Sequence, residues 1–295
     1  MIISLFNLFF FLFVTTNYLT NAYNTTSKIK NIDDLDQPLI ELNSRNLVTI
    51  RGPIQPDTVT DFISKLSKID SKEIYIYLSS PGGSVMEGLK IVDIIKSTQR
   101  SGISVKCISD FTASMAFIIL QSCPVRYATM SSVLMQHQMS LGLKGDIKNV
   151  GNYLSFIKDI DTELDVLQSE KIGISISNFR EKIENDWWIN GATAVEKSVV
   201  DKLVHLKCHN ELDDKFEVLI VNFGFRPVHL VYSKCPFSRY PVEVLYEADD
   251  GFSQHSSLVS MENAKNLLGR GEYNSLTQTL DKWLNYKEPI FKLSY

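Results

Sequence analysis

Strand-like runs alternate with segments of helical spacing between residues 47 and 137, and this alternation constrains the fold more than any other feature. Residues 74–78 are a short run of apolar and aromatic side chains, and residues 103–108 carry four apolar side chains around Ser104 and Lys106, as is typical of strands. From residue 84 to about residue 98, apolar side chains recur every three or four positions, as on the buried face of a helix. The pattern predicts an alternating α/β domain.

Ser114 lies between small or unbranched residues at the start of an apolar run that ends near Leu120. A serine at the N-terminus of a helix has free backbone N–H groups and the positive end of the helix dipole beside it. Such a serine is a candidate nucleophile. Most serines in this position are helix caps or small packing residues, so the interpretation needs further elements.

Three further elements favour chemistry at Ser114. Gly82 and Gly83 follow the strand at residues 74–78, and two adjacent glycines let backbone N–H groups approach a ligand. His137 ends an apolar strand-like segment, from which it could activate the serine. Asp186 precedes two tryptophans that would shield it, so it could orient an imidazole. Taken singly, these elements also fit a turn, a packing histidine and a carboxylate at a helix end.

Together these residues resemble the Clp protease proteolytic subunit (ClpP) family. The order Pro-Gly-Gly-Ser at 81–84, Ala-Ser-Met at 113–115, Met-x-His-Gln at 135–138 and Asp186 before an aromatic residue is that of the family. The segment at residues 194–201 is similar to the family's C-terminal motif, and the resemblance runs from about residue 47 to about residue 205. It implies a ClpP/crotonase-like α/β fold of repeated β-β-α units with a handle strand and a handle helix.

The resemblance also implies a mechanism, acyl transfer by a serine triad inside an oligomeric chamber. Ser114 would attack the peptide carbonyl, His137 would take its proton, and Asp186 would hold the imidazole. Backbone N–H groups would stabilise the oxyanion, and the candidates are those of Gly82, Gly83 and Met115. The resemblance implies the pair Gly82 and Met115. No metal or organic cofactor is implied.

A long helical pattern from residue 146 to about residue 171 corresponds in ClpP-like subunits to the handle that joins two rings. Residues 141–145 would be the handle strand, whose edge at Leu141, Gly142 and Leu143 would pair with an extended substrate. Polypeptide substrates, a homo- or hetero-oligomeric ring and an AAA+ unfoldase that controls entry are the implied partners. The other interpretation is a long surface helix that packs on its own domain.

This sequence departs from the family beside the nucleophile motif and within the C-terminal motif. Asp110 stands four residues before Ser114, where the family usually has glycine, so its carboxylate would either disturb the nucleophile turn or point to solvent. Ser198 stands where the family has glycine near its C-terminal Val-Asp. These departures bear on loop geometry more than on the triad.

Three other functions remain open. A ClpP-like structural ring subunit would carry the fold but cleave little. A signal-peptide-peptidase-like enzyme would pair the serine with a lysine, and Lys144 and Lys148 are the nearest candidates. A crotonase-like acyl-CoA enzyme would share the fold and the oxyanion hole without needing the triad.

Composition and the two ends of the chain complete the prediction. We expect a signal peptide or anchor at 1–22, a linker at 23–45, the protease domain at 46–208 and an extension of unknown role at 209–295. The signal peptide implies entry into the secretory route, with a membrane anchor or a bipartite organelle signal as the alternative. The formal net charge of -4 gives no support for nucleic-acid binding.

Four cysteines show no metal-type spacing. Cys107 and Cys123 fall in apolar segments and are predicted to be buried thiols. Cys208 and Cys235 could pair in an oxidising compartment. Within the extension, residues 216–221 and 228–232 are predicted strands, and residues 276–286 a predicted helix.

Overall fold

The predicted alternation of strands and helices is present in the computed structural model, which describes residues 37–213, 215–223, 226–237, 243–247 and 253–254. The elements, numbered along the chain, are β1 (Leu39–Leu42), β2 (Leu47–Arg51), α1 (Pro56–Leu66), β3 (Glu73–Ser80), α2 (Val85–Arg100), β4 (Ser104–Ala113), α3 (Met115–Ser122), β5 (Val125–Gln136), α4 (Ile147–Ile172), α5 (Ile176–Ile183), β6 (Trp187–Asn190), α6 (Gly191–Glu196), β7 (Lys202–Leu203), β8 (His205–Cys208), α7 (Asn210–Asp213), β9 (Phe216–Phe223), β10 (Arg226–Ser233), β11 (Glu243–Glu247) and β12 (Ser253–Gln254).

The central sheet has the strand order β2-β3-β4-β5-β6, with β7 added beside β5. Strands β2 to β5 are parallel, as expected for strands joined by crossover helices, whereas β6 runs antiparallel to β5. The carboxyl ends of β3, β4 and β5 therefore meet at one edge. These ends are followed by Gly82, Ser114 and His137, so the topology brings the three predicted motifs together.

Both faces of the central sheet are covered, and alternate side chains of β3 divide between them. Ile74, Ile76 and Leu78 pack in the larger cluster with the helices, whereas Tyr75 and Tyr77 join a smaller cluster on the opposite face. The smaller cluster includes residues of the parallel pair β1–β8. Residues 39–42 of the predicted linker are thus part of the fold, because β1 needs β8 to satisfy its backbone.

A buried arginine attaches the C-terminal motif to the end of α3. Arg126 donates to Gln121 Oε1 at 2.6 Å and to Asp201 Oδ1 at 2.6 Å, and its side chain is buried. Burial alone would raise the pKa of Asp201, but the hydrogen bonds from Arg126 lower that pKa below its ordinary value. The aspartate that ends the motif at 194–201 is therefore a structural partner of the arginine.

The extension contains a second sheet, with the strand order β12-β11-β10-β9 and antiparallel pairing throughout. The predicted strands at residues 216–221 and 228–232 lie within β9 and β10. Cys235, just after β10, forms a disulfide with Cys208 at the end of β8. Glu217 of β9 also forms ion pairs with Arg51 and Lys65, at 3.1 Å and 2.8 Å.

Two sequence predictions need correction. Cys107 and Cys123 are buried, but they form a disulfide rather than two thiols, because β4 and the end of α3 bring their Cα atoms to 6.0 Å. The predicted handle strand at residues 141–145 lies outside every strand, and its side chains are exposed. No neighbouring strand among the described residues supplies the hydrogen bonds that a strand needs. The long helix predicted from residue 146 to about residue 171, in contrast, is confirmed as α4.

Some predictions fall outside the described residues, namely the signal peptide or anchor at 1–22 and the helix at 276–286. Within the part of the chain that the structure describes, no helix has both the length and the apolar character needed to cross a bilayer. The same residues contain no group of three or more His, Cys, Asp or Glu side chains arranged to hold a metal ion.

Candidate active site

Ser114 occupies a backbone conformation that few non-glycine residues adopt. Its φ is 53° and its ψ is -122°, between the last residue of β4 and the first residue of α3. A side chain at such a sharp strand-to-helix turn is presented to the cleft, at a backbone cost of roughly 1–3 kcal/mol. The surrounding packing maintains this geometry, because every residue of α3 from Met115 to Gln121 is buried.

His137 lies beside the serine as predicted. Its Nε2 is 2.9 Å from Ser114 Oγ, which is hydrogen-bond distance. A backbone bond sets this proximity, since the Ser114 N–H donates to the carbonyl of Met135 at 2.9 Å. The pairing of β4 with β5 therefore determines the distance between the two side chains.

Asp186 lines the same cleft, but among the described residues no hydrogen bond joins its carboxylate to His137. Its position follows from strand register. Gln136 of β5 pairs with Trp187 of β6 in the antiparallel ladder. The next position outward on β5 is His137 and the next on β6 is Asp186, so the two residues extend neighbouring strands at facing positions.

The backbone amides beside Ser114 differ in availability. The Gly82 N–H donates to Ser80 Oγ at 3.1 Å, so that amide already has an acceptor. Gly83 forms an isolated β-bridge with Ile54, but the hydrogen bonds of this bridge use the Gly82 carbonyl and the Ser84 N–H. Among the described residues, no hydrogen bond therefore uses the Gly83 N–H. The Met115 N–H, the first of α3, has no intrahelical acceptor. Of the three candidate donors, Gly83 and Met115 therefore have no acceptor among the described residues, whereas the resemblance implies the pair Gly82 and Met115.

Gly82 has a different role, because it allows a close approach of two loops. A Cβ at Gly82 would lie 2.6 Å from the carbonyl oxygen of Ala113 and 2.7 Å from Ser114 Cβ, and its φ is 89°. No side chain fits there, so the glycine lets the turn after β3 contact the nucleophile turn.

Asp110 neither disturbs the nucleophile turn nor points to solvent. It is the extra residue of a β-bulge, since Ser109 pairs with Leu78 and Phe111 pairs with Ser79. Its carboxylate is buried and accepts a hydrogen bond from Ser79 Oγ at 2.9 Å. Asp110 thus connects the end of β3, which leads to the glycine turn, with the strand that leads to Ser114.

Ser114, His137, Asp186 and the two glycines line a cleft of about 680 Å³. Its lining consists of Pro53, Pro81, Gly82, Gly83, Val85, Ser114, Met115, Ile118, Gln136, His137, Met139, Ser140, Asp161, Leu164, Asp165, Gln168, Ile183 and Asp186. The predicted residues Leu141, Gly142 and Leu143 are exposed and are not among the residues that line it. Lys144 and Lys148 are also exposed and absent from the lining, so the lysine-dependent alternative has no structural support.

Sequence reasoning missed the wall that α4 contributes. Asp161, Leu164, Asp165 and Gln168 share one helical face that points into the cleft. Gln136 donates to Gln168 Oε1 at 2.5 Å, and Arg180 donates to Asp165 Oδ2 at 2.7 Å. The signal was present in the sequence as polar residues at a helical spacing of three and four.

Comparison with known proteins agrees with this geometry. The family model for Clp protease matches residues 32–207, more than half of the chain. The chain belongs to the Clp protease family. It is 26% identical over 175 residues to "ATP-dependent Clp protease proteolytic subunit 1" of Prochlorococcus marinus (strain NATL2A), an alignment that covers 56% of this chain and 87% of that protein.

Membership of the Clp protease family supports peptidase activity and agrees with the ClpP/crotonase-like fold described above. The match ends at residue 207, just before Cys208. The second sheet of this chain therefore lies outside the part that the family model describes.

Proposed function

We propose that the chain is a serine endopeptidase of the Clp protease family that hydrolyses unfolded polypeptides inside an oligomeric chamber. The observation that carries the proposal is the 2.9 Å contact between Ser114 Oγ and His137 Nε2 at a strained strand-to-helix turn. Ser114 attacks the scissile carbonyl while His137 takes its proton, and the imidazolium then protonates the leaving amine. Water hydrolyses the resulting acyl-enzyme with His137 again acting as the base.

Asp186 orients the imidazole in this proposal. Support comes from the antiparallel register, which puts His137 and Asp186 at facing positions of neighbouring strands. Catalytic hydrogen bonds are often long in the absence of substrate and tighten when it binds. We expect the carboxylate to accept from His137 Nδ1 in the complex with substrate.

The oxyanion is received by the N–H groups of Gly83 and Met115. An extended substrate would run beside Leu141, Gly142 and Leu143, whose segment has no strand partner among the described residues. The oxyanion donors and the substrate contacts are both backbone groups. Backbone groups bind any peptide alike, so this arrangement suits cleavage that does not depend strictly on the substrate sequence.

The first half of α4 supports an assembly. Ile147 is 92% exposed, and Tyr153, Leu154 and Phe156 on the same helix are exposed as well. A helix of 26 residues is about 39 Å long, and its exposed apolar end requires a covering surface. A second copy in a stacked ring would cover it, and an AAA+ unfoldase partner would then control entry.

Covalent labelling with a fluorophosphonate tests the serine mechanism. In this reaction Oγ attacks phosphorus and fluoride leaves. We expect one adduct on Ser114, no adduct in Ser114→Ala, and labelling at least about 100-fold slower in His137→Ala. Ser131→Ala is a matched control, because it removes an exposed serine of β5 that lies outside the cleft. Intact mass and peptide mapping give the readout.

Two results would contradict the proposal. One is a folded, oligomeric chain that is not labelled at Ser114, which would favour the structural ring subunit. The other is equal labelling rates in the parent chain and in His137→Ala, which would remove the histidine from the mechanism.

A further inference from the structure

The cleft beside Ser114 combines an apolar wall with a carboxylate, that of Asp161, which forms no ion pair with any described residue. Met115, Ile118, Leu164 and Ile183 supply the wall. The described residues that line the cleft include three carboxylates and neither a lysine nor an arginine. The cleft is therefore acidic, and the three carboxylates differ in what they contact.

Two of the three carboxylates have other roles. Asp165 is buried and forms an ion pair with Arg180 at 2.7 Å, so its charge is compensated within the fold. Asp186 lies beside His137, where the proposed function uses it. Asp161 forms no ion pair and no side-chain hydrogen bond with any described residue, although it is partly buried.

The surroundings of Asp161 disfavour an uncompensated negative charge. Burial raises the pKa of the Asp161 carboxyl, the charge of Asp165 raises it further, and Arg180 opposes both effects. A cation that entered the cleft would relieve this repulsion. The amides nearby are already used, since Gln136 donates to Gln168 and Gln168 donates to the carbonyl of Leu164.

We propose that Asp161 selects substrates with a lysine or arginine at the residue that contributes the scissile carbonyl. The inference rests on the proposed function, because it assumes that the cleft receives the side chain next to the bond that Ser114 attacks. A lysine or arginine side chain has an apolar stem and a charged end. The stem contacts the apolar wall, and the cationic end reaches the Asp161 carboxylate.

Two peptides that differ in one residue test the inference with the full-length chain. One has lysine at the position of interest and the other has norleucine, which keeps the unbranched apolar stem but lacks the ammonium group. We expect kcat/KM to be about tenfold higher for the lysine peptide, which corresponds to a typical hydrogen bond with a charged group. Asp161→Asn should reduce this preference to about twofold or less.

Asp159→Asn is the matched control. It removes the same charge from the same helix, but at an exposed residue that does not line the cleft. This variant should keep the parent chain's preference for lysine. If both variants lose the preference, a general charge effect explains it, and if both keep it, the preference has another origin. In either case Asp161 does not select the substrate.

A binding measurement separates this inference from the proposed function. Fluorescent versions of both peptides are titrated with Ser114→Ala and with Ser114→Ala/Asp161→Asn, and anisotropy gives Kd. About tenfold tighter binding of the lysine peptide, lost in the double variant, supports selection by Asp161 even if neither peptide is hydrolysed by the parent chain. Equal Kd values, or equal kcat/KM values in an active parent chain, would overturn the inference and leave the serine mechanism intact.

Discussion

The central sheet and the C-terminal sheet are held in different ways. Strands β2 to β6 are covered on both faces, and their inward side chains, such as Ile76 and Leu78, are almost fully buried. The described part of the C-terminal sheet exposes apolar side chains of β9, with Phe216 at 52% and Val218 at 54%. It is attached through a disulfide and through the ion pairs of Glu217 with Arg51 and Lys65.

The two sheets also differ in what they contribute to the cleft. The turns after β3, β4 and β5 supply Gly82, Ser114 and His137, whereas none of the described residues of β9 to β12 lines the cleft. The residues proposed for catalysis therefore lie at the ends of the central strands, whereas the residues that attach the C-terminal sheet lie outside the cleft. Changes at the ends of the central strands should alter activity, and changes at the attachment points should alter stability alone.

The largest effect is expected from Gly82→Ala. The new Cβ would lie 2.6 Å from the Ala113 carbonyl oxygen and 2.7 Å from Ser114 Cβ, so the nucleophile turn must shift. We expect kcat/KM for a fluorogenic peptide to fall at least about 100-fold, similar to the loss of an oxyanion donor. Thermal unfolding measured on the same sample tests whether the fold is retained.

Gly102→Ala is the control for this prediction. Gly102 has nearly the same φ, 86° against 89° at Gly82, but nothing lies within 4 Å of its Cβ position. Both variants carry the left-handed penalty of roughly 1–2 kcal/mol. If Gly82→Ala keeps the activity of Gly102→Ala, the close approach of the two turns is not required for catalysis.

The two disulfides provide the next comparison, one in each region. Replacing Cys208 and Cys235 by alanine opens a loop with a sequence separation of 27. Loop-closure entropy predicts a loss of about 3.5 kcal/mol in the free energy of unfolding. Because neither cysteine lines the cleft, kcat/KM should stay within about twofold of the parent value, measured below the unfolding transition.

Replacing Cys107 and Cys123 by alanine should have a similar cost of about 3 kcal/mol, because their sequence separation is 16. These cysteines lie on β4 and directly after α3, the two elements that flank Ser114. Here we expect kcat to fall as well. An equal fall in kcat in both double variants would mean that the C-terminal sheet takes part in the chemistry, and an unchanged kcat in both would mean that the Cys107–Cys123 disulfide does not support the nucleophile turn.

Sequence reasoning predicted the features that depend on local pattern. The strands and helices from residue 47 to residue 137 follow from apolar spacing, because their buried faces determine which residues must be apolar. The proximity of Ser114 and His137 followed from motif order, and the strand pairing explains it. Ser198, which stands at a usual glycine position, keeps the left-handed conformation with a φ of 57°.

Features that depend on contacts between distant elements could not be predicted in the same way. The hydrogen bond from Ser79 to the buried Asp110 exists because a bulge turns the aspartate inward, and a bulge has no reliable sequence signal. The use of the Gly82 N–H by Ser80 depends on a single side-chain rotamer. The acidic wall of the cleft needs α4 to pack across the ends of the strands, which periodicity alone does not specify.

The smallest effect is expected from Glu217→Gln, which tests the attachment without opening a covalent link. Glu217 lies 3.1 Å from the guanidinium of Arg51, whose side chain is only 8% exposed. Removing the carboxylate leaves that guanidinium without its counter-ion on β9. The expected loss in free energy of unfolding is about 1–2 kcal/mol, less than for a fully buried pair because Glu217 is partly exposed.

Asp61→Asn is the matched control, because Asp61 forms an ion pair with the same Lys65 but is 54% exposed. An exposed pair one helical turn apart contributes about 0.3–0.5 kcal/mol, so this variant should change the urea midpoint very little. Urea unfolding distinguishes the two, with unchanged m values as the condition for comparing midpoints. If both variants shift the midpoint equally, burial of Arg51 does not strengthen the attachment, and the disulfide would be its main element.

Peptide hydrolysis should be the same in both variants and in the parent chain. The reason is that an ion pair of β9 lies outside the cleft, so its loss should leave the residues around Ser114 unchanged.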